Sequence, residues 1–122
     1  MKSIKISDAE WQVMVRLWQR SPQPAADLVG ALQSTAGWRP RTIRTLLDRL
    51  VRKGAVKVHE DEIRQYAPAV SREICLRNES RSFAERVFAG EPAPMLLHLI
   101  KETKLTPAEI EQLKQLLAEK EK

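Results

Sequence analysis

Cysteine and histidine are nearly absent from this chain of 122 residues, which has one cysteine, Cys75, and two histidines. A single thiol excludes an internal disulfide framework and is typical of proteins of the reducing cytosol. No zinc-binding spacing of cysteine or histidine occurs, and the glycine-rich phosphate-binding motifs are missing. We therefore expect neither a metal nor a cofactor.

Long apolar runs are also missing, and none approaches the roughly 20 residues that a membrane-spanning helix needs. The N-terminus lacks the apolar segment of a secretory signal, so we expect a cytoplasmic protein without membrane insertion. No base, nucleophile and orienting group occur together. Cys75 lies on an apolar helix face with no histidine nearby, which favours a buried structural thiol and argues against an enzyme.

Positive charge is present in excess, and it is confined to one part of the chain. Residues 1–70 contain 12 Lys and Arg against 7 Asp and Glu, whereas residues 71–122 contain 9 of each. A basic part suits a polyanionic partner, either nucleic acid or an anionic membrane surface. The neutral part needs a different role, and we expect two domains, 1–70 and 71–122.

The segment 40–53 predicts a helix with two unlike faces. Pro40 suits the first helical position and Gly54 the left-handed position after the end. An apolar stripe recurs at helical spacing: Ile43, Leu46, Leu47, Leu50 and Val51. The opposite face carries Arg41, Thr45, Asp48 and Arg52, with Asp48 placed to pair with Arg44 and Arg52. Such a face is what a major-groove reader needs, although an ordinary solvated basic face has the same pattern.

Two shorter helices are expected before this segment. Ser7 and Glu10 form a capping box for a helix over about 8–20. A second helix spans about 25–33, followed by a turn over 34–37 and a very short strand at Trp38. Two short helices followed by a longer one indicate helix-turn-helix organisation.

A small hairpin, or wing, is expected behind the third helix. Val56 and Val58 lie on one strand, Ile63 and Tyr66 on the other, and residues 59–62 form the polar turn. Arg64 could reach a phosphate, whereas the acidic turn should stay off the DNA backbone.

Three further helices are expected over about 71–89, 92–102 and 107–120, each with an apolar stripe. About 50 residues bury such stripes poorly within one chain, so we expect two copies to interlock; folding back onto the first domain is the alternative. The candidate dimerisation residues are Phe83, Val87, Phe88, Leu96, Leu99, Ile100, Ile110, Leu113, Leu116 and Leu117.

Four separated segments, in order, resemble the penicillinase-repressor (BlaI/MecI/CopY) family. They are Ile6–Trp11 with Val13, Met14 and Trp18; the third helix with Pro40, Thr42, Ile43, Thr45, Leu47, Arg49, Leu50, Lys53 and Gly54; Arg64–Tyr66 with Pro68; and Phe88–Gly90 with Leu105 and Thr106. The resemblance implies a mainly α fold, with a winged helix-turn-helix domain and a C-terminal helical dimerisation domain. It also implies a homodimeric repressor of promoters with inverted-repeat operators, such as those of β-lactamase or other antibiotic-resistance genes.

The resemblance also implies site residues and partners. Double-stranded DNA would be contacted by Trp38, Arg39, Arg41, Thr42, Arg44, Thr45, Arg49 and Arg64. Arg41, Thr42 and Thr45 would lie at or near the bases, and Arg49 with the helix entry would contact phosphates. Drug-responsive members are cut at an Asn-Phe bond after a membrane sensor-protease detects the drug, and the matching position here is His98–Leu99. The paired C-x-C motifs of copper-responsive members do not occur, and the wing lacks the usual glycine.

Two other functions fit the same residues. A winged helix can serve as a module that binds an acidic protein, and a basic face can bind DNA without regard to sequence.

Overall fold

The computed structural model describes residues 4–122, which form six helices and one three-stranded antiparallel sheet. The elements are α1 (Asp8–Gln19), β1 (Gln23–Pro24), α2 (Ala25–Ala36), α3 (Pro40–Lys53), β2 (Val56–Glu60), β3 (Arg64–Pro68), α4 (Arg72–Val87), α5 (Pro92–Glu102) and α6 (Pro107–Glu121). The strand order is β1-β3-β2. The predicted class, mainly α with a small hairpin, is confirmed.

The ends of α1 and α3 lie close to where local chemistry predicts them. The Ser7 hydroxyl accepts a hydrogen bond from the Glu10 backbone N–H, and the Glu10 carboxylate accepts one from the Ser7 N–H. Pro40 occupies the first turn of α3, and Gly54 ends it with a φ of 83°. Glycine adopts this left-handed conformation without steric cost.

Helix α2 extends through residues 34–36, where the sequence was expected to turn. Ser34 and Thr35 usually favour turns because their hydroxyls compete for backbone groups. Here both hydroxyls donate back to the helix, to the carbonyls of Gly30 and Ala31. The helix therefore continues to Ala36 and ends at Gly37, whose φ is 70°.

The sheet contains a strand that the sequence did not predict. Gln23 and Pro24 pair with Tyr66 and Gln65 of β3, whereas the short strand expected at Trp38 does not form. The hairpin turn is also shorter than expected, because His59 pairs with Gln65 and belongs to β2. A two-residue strand depends on its distant partner, so local sequence carries almost no signal for it.

The chain divides into two compact units, one reaching to Asn78 and the other formed by Glu79–Lys122. We call them the N-terminal and C-terminal units. The N-terminal unit has a continuous core in which α1, α2, α3 and the sheet take part. Its most deeply buried apolar side chains are Val13, Met14, Leu17, Leu28, Leu32, Ile43, Leu47 and Leu50.

The C-terminal unit contains the end of α4 together with α5 and α6. Thr106 and Glu109 form a second capping box, at the start of α6. Neither α5 nor α6 has a buried residue. Within residues 4–122, no helix is long and apolar enough to cross a membrane.

Candidate nucleic-acid interface

Helix α3 presents a basic face because its apolar face is fixed in the core. Ile43, Leu46, Leu47 and Leu50 are buried, and each fully buried side chain of this size stabilises the fold by about 1.5–3 kcal/mol. Val51 is half-buried and packs against the same core, whereas most of the other side chains of the helix are directed outward. The exposed set comprises Arg41, Thr42, Arg44, Thr45, Asp48, Arg49 and Arg52.

The first turns of α3 bring four of the predicted DNA-contact residues together. Arg41, Thr42, Thr45 and Arg49 line one shallow depression on this face. The Thr45 hydroxyl donates a 2.9 Å hydrogen bond to the Arg41 carbonyl oxygen. Its proton is therefore used within the helix, so Thr45 presents to a ligand its methyl group and the remaining acceptor capacity of its hydroxyl.

The expected ion pairs of Asp48 are missing. Among the ion pairs of residues 4–122, none joins Asp48 to Arg44 or Arg52. Pairs of long, solvated side chains gain little free energy, since ordering them costs entropy. Arg44 and Arg52 are thus not held along the helix by Asp48.

The entry to α3 is formed by Trp38 and Arg39. Trp38 is half-buried and packs against the core of the N-terminal unit, and Arg39 is the exposed N-cap residue. Trp38 thus links the loop before α3 to the core, whereas Arg39 extends the basic face beyond the helix.

Arg64 lies on the wing and is engaged by its own hairpin. Its Nε atom is 3.2 Å from Oε1 of Glu60, and its guanidinium group lies 5.6 Å from the centre of the Tyr66 ring. Both partners are on the wing. The charge of Arg64 is partly compensated before any phosphate approaches.

The structure shows a contact at the other end of α3 that the sequence did not predict. Lys53 Nζ lies 2.5 Å from Oε1 of Glu10, 43 positions earlier in the chain, and also donates to the Lys5 carbonyl oxygen. Burial alone would raise the pKa of Glu10, but the hydrogen bonds from Lys53 and Ser7 lower it below its ordinary value. No local pattern in the sequence indicates that Lys53 has this partner, because the two residues are 43 positions apart.

The predicted dimerisation residues all lie in the C-terminal unit. Eight of the ten are between 41% and 59% exposed: Phe83, Val87, Leu96, Leu99, Ile100, Ile110, Leu116 and Leu117. Phe88 and Leu113 are half-buried. The matching cleavage position, His98–Leu99, lies within α5 and is also exposed.

Cys75 is buried at the start of α4, as predicted for a structural thiol. Burial raises the pKa of this thiol, which disfavours the reactive thiolate. Within residues 4–122, no cluster of three potential metal ligands occurs.

Comparison with known proteins identifies relatives over nearly the whole chain. A family described as penicillinase repressor matches residues 6–119. The penicillinase repressor of Bacillus licheniformis is 36% identical over 121 residues, covering 98% of this chain and 94% of that protein. The methicillin resistance regulatory protein MecI of Staphylococcus aureus is 32% identical over 120 residues, covering 98% of both chains.

Two solved structures are similar to the described fold. The DNA-binding domain of the repressor BlaI has a TM-score of 0.53 and 39% identity, covering 59% of this chain and 90% of that one. The monomeric form of Bacillus licheniformis BlaI, in complex with the blaP half-operator, has a TM-score of 0.54 and 37% identity. It covers 60% of this chain and 92% of that one.

Proposed function

Because the chain belongs to the penicillinase repressor family, we propose that it is a transcriptional repressor that binds operator DNA through the outward face of α3. The observation that carries this proposal is the cluster of Arg41, Thr42, Thr45 and Arg49 on one exposed helix face. The BlaI relative was solved with a half-operator, which supports the same use of this fold. A member of a repressor family is not an enzyme.

Within this face, the two ends have different roles. Arg41 lies at the start of α3, where a recognition helix contacts base edges, and its guanidinium can bind a guanine through two hydrogen bonds. Arg49 lies two turns later and contacts phosphate, with Arg39 and Trp38 at the helix entry. Arg44 and Arg64 add attraction to the backbone, although the pairing of Arg64 with Glu60 reduces its contribution.

Two copies of the chain would bind together, joined through their C-terminal units. The exposed apolar side chains of α4, α5 and α6 supply the surface, since a second copy would remove them from water. A symmetric dimer of helix-turn-helix domains requires two related half-sites. The operator is therefore an inverted repeat, and such a repressor acts in the cytoplasm.

The regulated genes would be resistance genes, in line with the names of the relatives. A membrane sensor-protease would then relieve repression by cutting at His98–Leu99. Both residues are exposed, but they lie in the middle of α5. A protease would have to unfold part of α5 before cutting, because proteases bind extended backbone.

Footprinting on the promoter of the chain's own gene tests the proposal. We expect protection of two half-sites related by a two-fold axis, about 10 base pairs or a multiple of this apart. In the same assay Arg41→Ala should relax the base preference, a loss of about 1–3 kcal/mol of discrimination. Arg49→Ala should weaken operator and random DNA alike.

Two results would contradict this proposal. Equal losses on operator and random DNA in both variants would show that Arg41 does not read bases. Binding that ignores sequence, or disappears at about 0.1 M salt, would favour a non-specific DNA-binding protein or a module for an acidic protein partner.

A further inference from the structure

Lys53 joins the last turn of α3 to the beginning of α1. Its Nζ atom donates to Oε1 of Glu10 at 2.5 Å and to the carbonyl oxygen of Lys5 at 2.8 Å. The same Oε1 atom accepts the Ser7 N–H at 2.8 Å. One ammonium group therefore ties the helix proposed to read DNA to the segment that starts α1.

The Glu10 carboxylate has little freedom to find another partner. The Glu10 side chain is completely buried, and its second oxygen, Oε2, has no hydrogen-bond partner within the described residues. A buried carboxylate that loses its only ionic partner is strongly destabilised. Glu10 therefore depends for its ionic partner on the position of the last turn of α3, which carries Lys53.

The second capping box of the chain shows that capping does not require this pair. Glu109 makes the same two hydrogen bonds with Thr106 at the start of α6, and both are exposed to solvent. Among the ion pairs of the described residues, Glu109 takes part in none. The contact with Lys53 is thus an addition to the cap of α1.

Because Lys53 lies at the far end of α3 from Arg41, a small change in the tilt of α3 at Lys53 displaces Arg41 by a larger distance. Arg41 lies twelve positions earlier on α3, or about 18 Å along the helix axis at 1.5 Å per residue. A tilt of about 5° at Lys53 would displace Arg41 by about 1.5 Å. Such a shift is enough to break a hydrogen bond to a base edge, whose length varies by only about 0.5 Å.

Apolar packing sets the crossing angle of two helices only to within about 15–20°, which leaves room for a polar contact to determine the tilt within that range. We propose that Glu10 and Lys53 are positioning residues that fix the tilt of α3 on α1 and thereby aim Arg41 at the bases. The inference rests on the proposed function for its effect on DNA, but the tilt itself is a property of the free protein.

The experiment compares Lys53→Met and Lys53→Arg with a matched control, Lys5→Met, in the full chain. Lys5 is exposed, and only its backbone oxygen takes part in the contact, so its variant removes one positive charge from the same segment without removing the contact. Residual dipolar couplings of backbone N–H groups measure the angle between α1 and α3. Binding to operator and to random DNA gives the specificity ratio.

We expect Lys53→Met to change the interhelical angle by at least about 5° and to lower the specificity ratio about tenfold. Lys53→Arg should restore both, because it keeps the charge. Lys5→Met should leave the angle unchanged and weaken binding to operator and to random DNA by the same factor. Near-UV circular dichroism of the tryptophans verifies folding, and Glu10→Gln, which neutralises the other partner, replaces Lys53→Met if that variant unfolds.

The inference would be overturned if the angle between α1 and α3 were unchanged in Lys53→Met or in Glu10→Gln. It would also be overturned if that angle changed while the ratio of operator to random-DNA binding stayed the same. Failure of Lys53→Arg to rescue would also overturn it. If the unmodified chain showed no operator preference, the proposed function would fail, while the angle would still decide whether the pair positions α3.

Discussion

Both units of this chain contain helices with an apolar stripe, but the N-terminal unit buries these stripes and the C-terminal unit leaves them largely exposed. In the N-terminal unit the apolar stripes of α1, α2 and α3 meet in one core, and side chains such as Leu17 and Leu50 lose all contact with solvent. In the C-terminal unit most apolar side chains of α5 and α6 are exposed, and Ala84 is the one buried apolar residue that the structure describes there. The first unit is complete in a single chain, whereas the second presents the surface expected of a half-assembled core.

The same difference separates the two capping boxes. At the start of α1 the glutamate is buried and bound to Lys53, and at the start of α6 it is exposed. Identical local chemistry therefore has different consequences in the two units. The two sites differ in how deeply the surrounding structure buries the capping glutamate.

The largest expected effect is in the core of the N-terminal unit. Leu50→Ala should lower the free energy of unfolding by about 2–5 kcal/mol, because it removes a fully buried side chain and leaves a cavity. Ile63→Ala in the exposed wing turn is the control and should change it by less than about 0.5 kcal/mol. Urea denaturation measures both. If the two variants lost the same free energy of unfolding, the burial of Leu50 in the core would not contribute to stability as expected.

The next effect tests whether the C-terminal unit needs a second copy. Leu117→Asp should raise the dimer dissociation constant about 100-fold, since it places an unpaired carboxylate in an apolar interface. Ala118→Asp introduces the same charge on the far side of α6 and should have little effect. Sedimentation equilibrium measures the association. If Leu117→Asp left the dimer dissociation constant unchanged, α6 would not be part of the interface. If the unmodified chain were monomeric, the exposed apolar surface of the C-terminal unit would not be a dimer interface.

The smallest effect concerns the two capping glutamates. The folded-state pKa of Glu10 is lowered below its ordinary value, so its contribution to stability is present above that ordinary value and is lost as pH falls through the lowered folded-state pKa. One such carboxyl changes the unfolding free energy by at most about 1.4 kcal/mol per pH unit. Glu10→Gln should therefore flatten the stability profile below about pH 5.

Urea midpoints between pH 7 and pH 3 give this profile. Glu109→Gln is the control and should alter the profile less, because exposed hydrogen bonds are exchanged with water. If Glu109→Gln flattened the profile as much as Glu10→Gln, burial would not distinguish the two caps.

Residues that act locally could be predicted from the sequence, and those that act through distant partners could not. Pro40 and Gly54 gave both ends of α3, and Ser7 with Glu10 gave the start of α1, because caps depend on a few neighbouring residues. The strand Gln23–Pro24 exists only through its pairing with β3. The Glu10–Lys53 contact spans 43 positions and was missed for the same reason.

The candidate site divides in the same way. Helical periodicity alone placed Arg41, Thr45 and Arg52 on the outward face, because the apolar stripe determines which side is buried. The partners of exposed charges were harder to predict. Asp48 was expected to pair with Arg44 and Arg52 and does not, whereas Arg64 pairs with Glu60 on its own hairpin.

The open apolar surface of the C-terminal unit has a consequence for how the proposed repressor would respond to its own abundance. If two chains must meet before an inverted repeat is occupied, occupancy at low copy number rises with the square of the chain concentration. A twofold fall in synthesis would then reduce the bound fraction about fourfold in that range. Exposed leucines on α5 and α6 would thereby set a threshold, so that operators stay silent only while the cell keeps enough chains to pair.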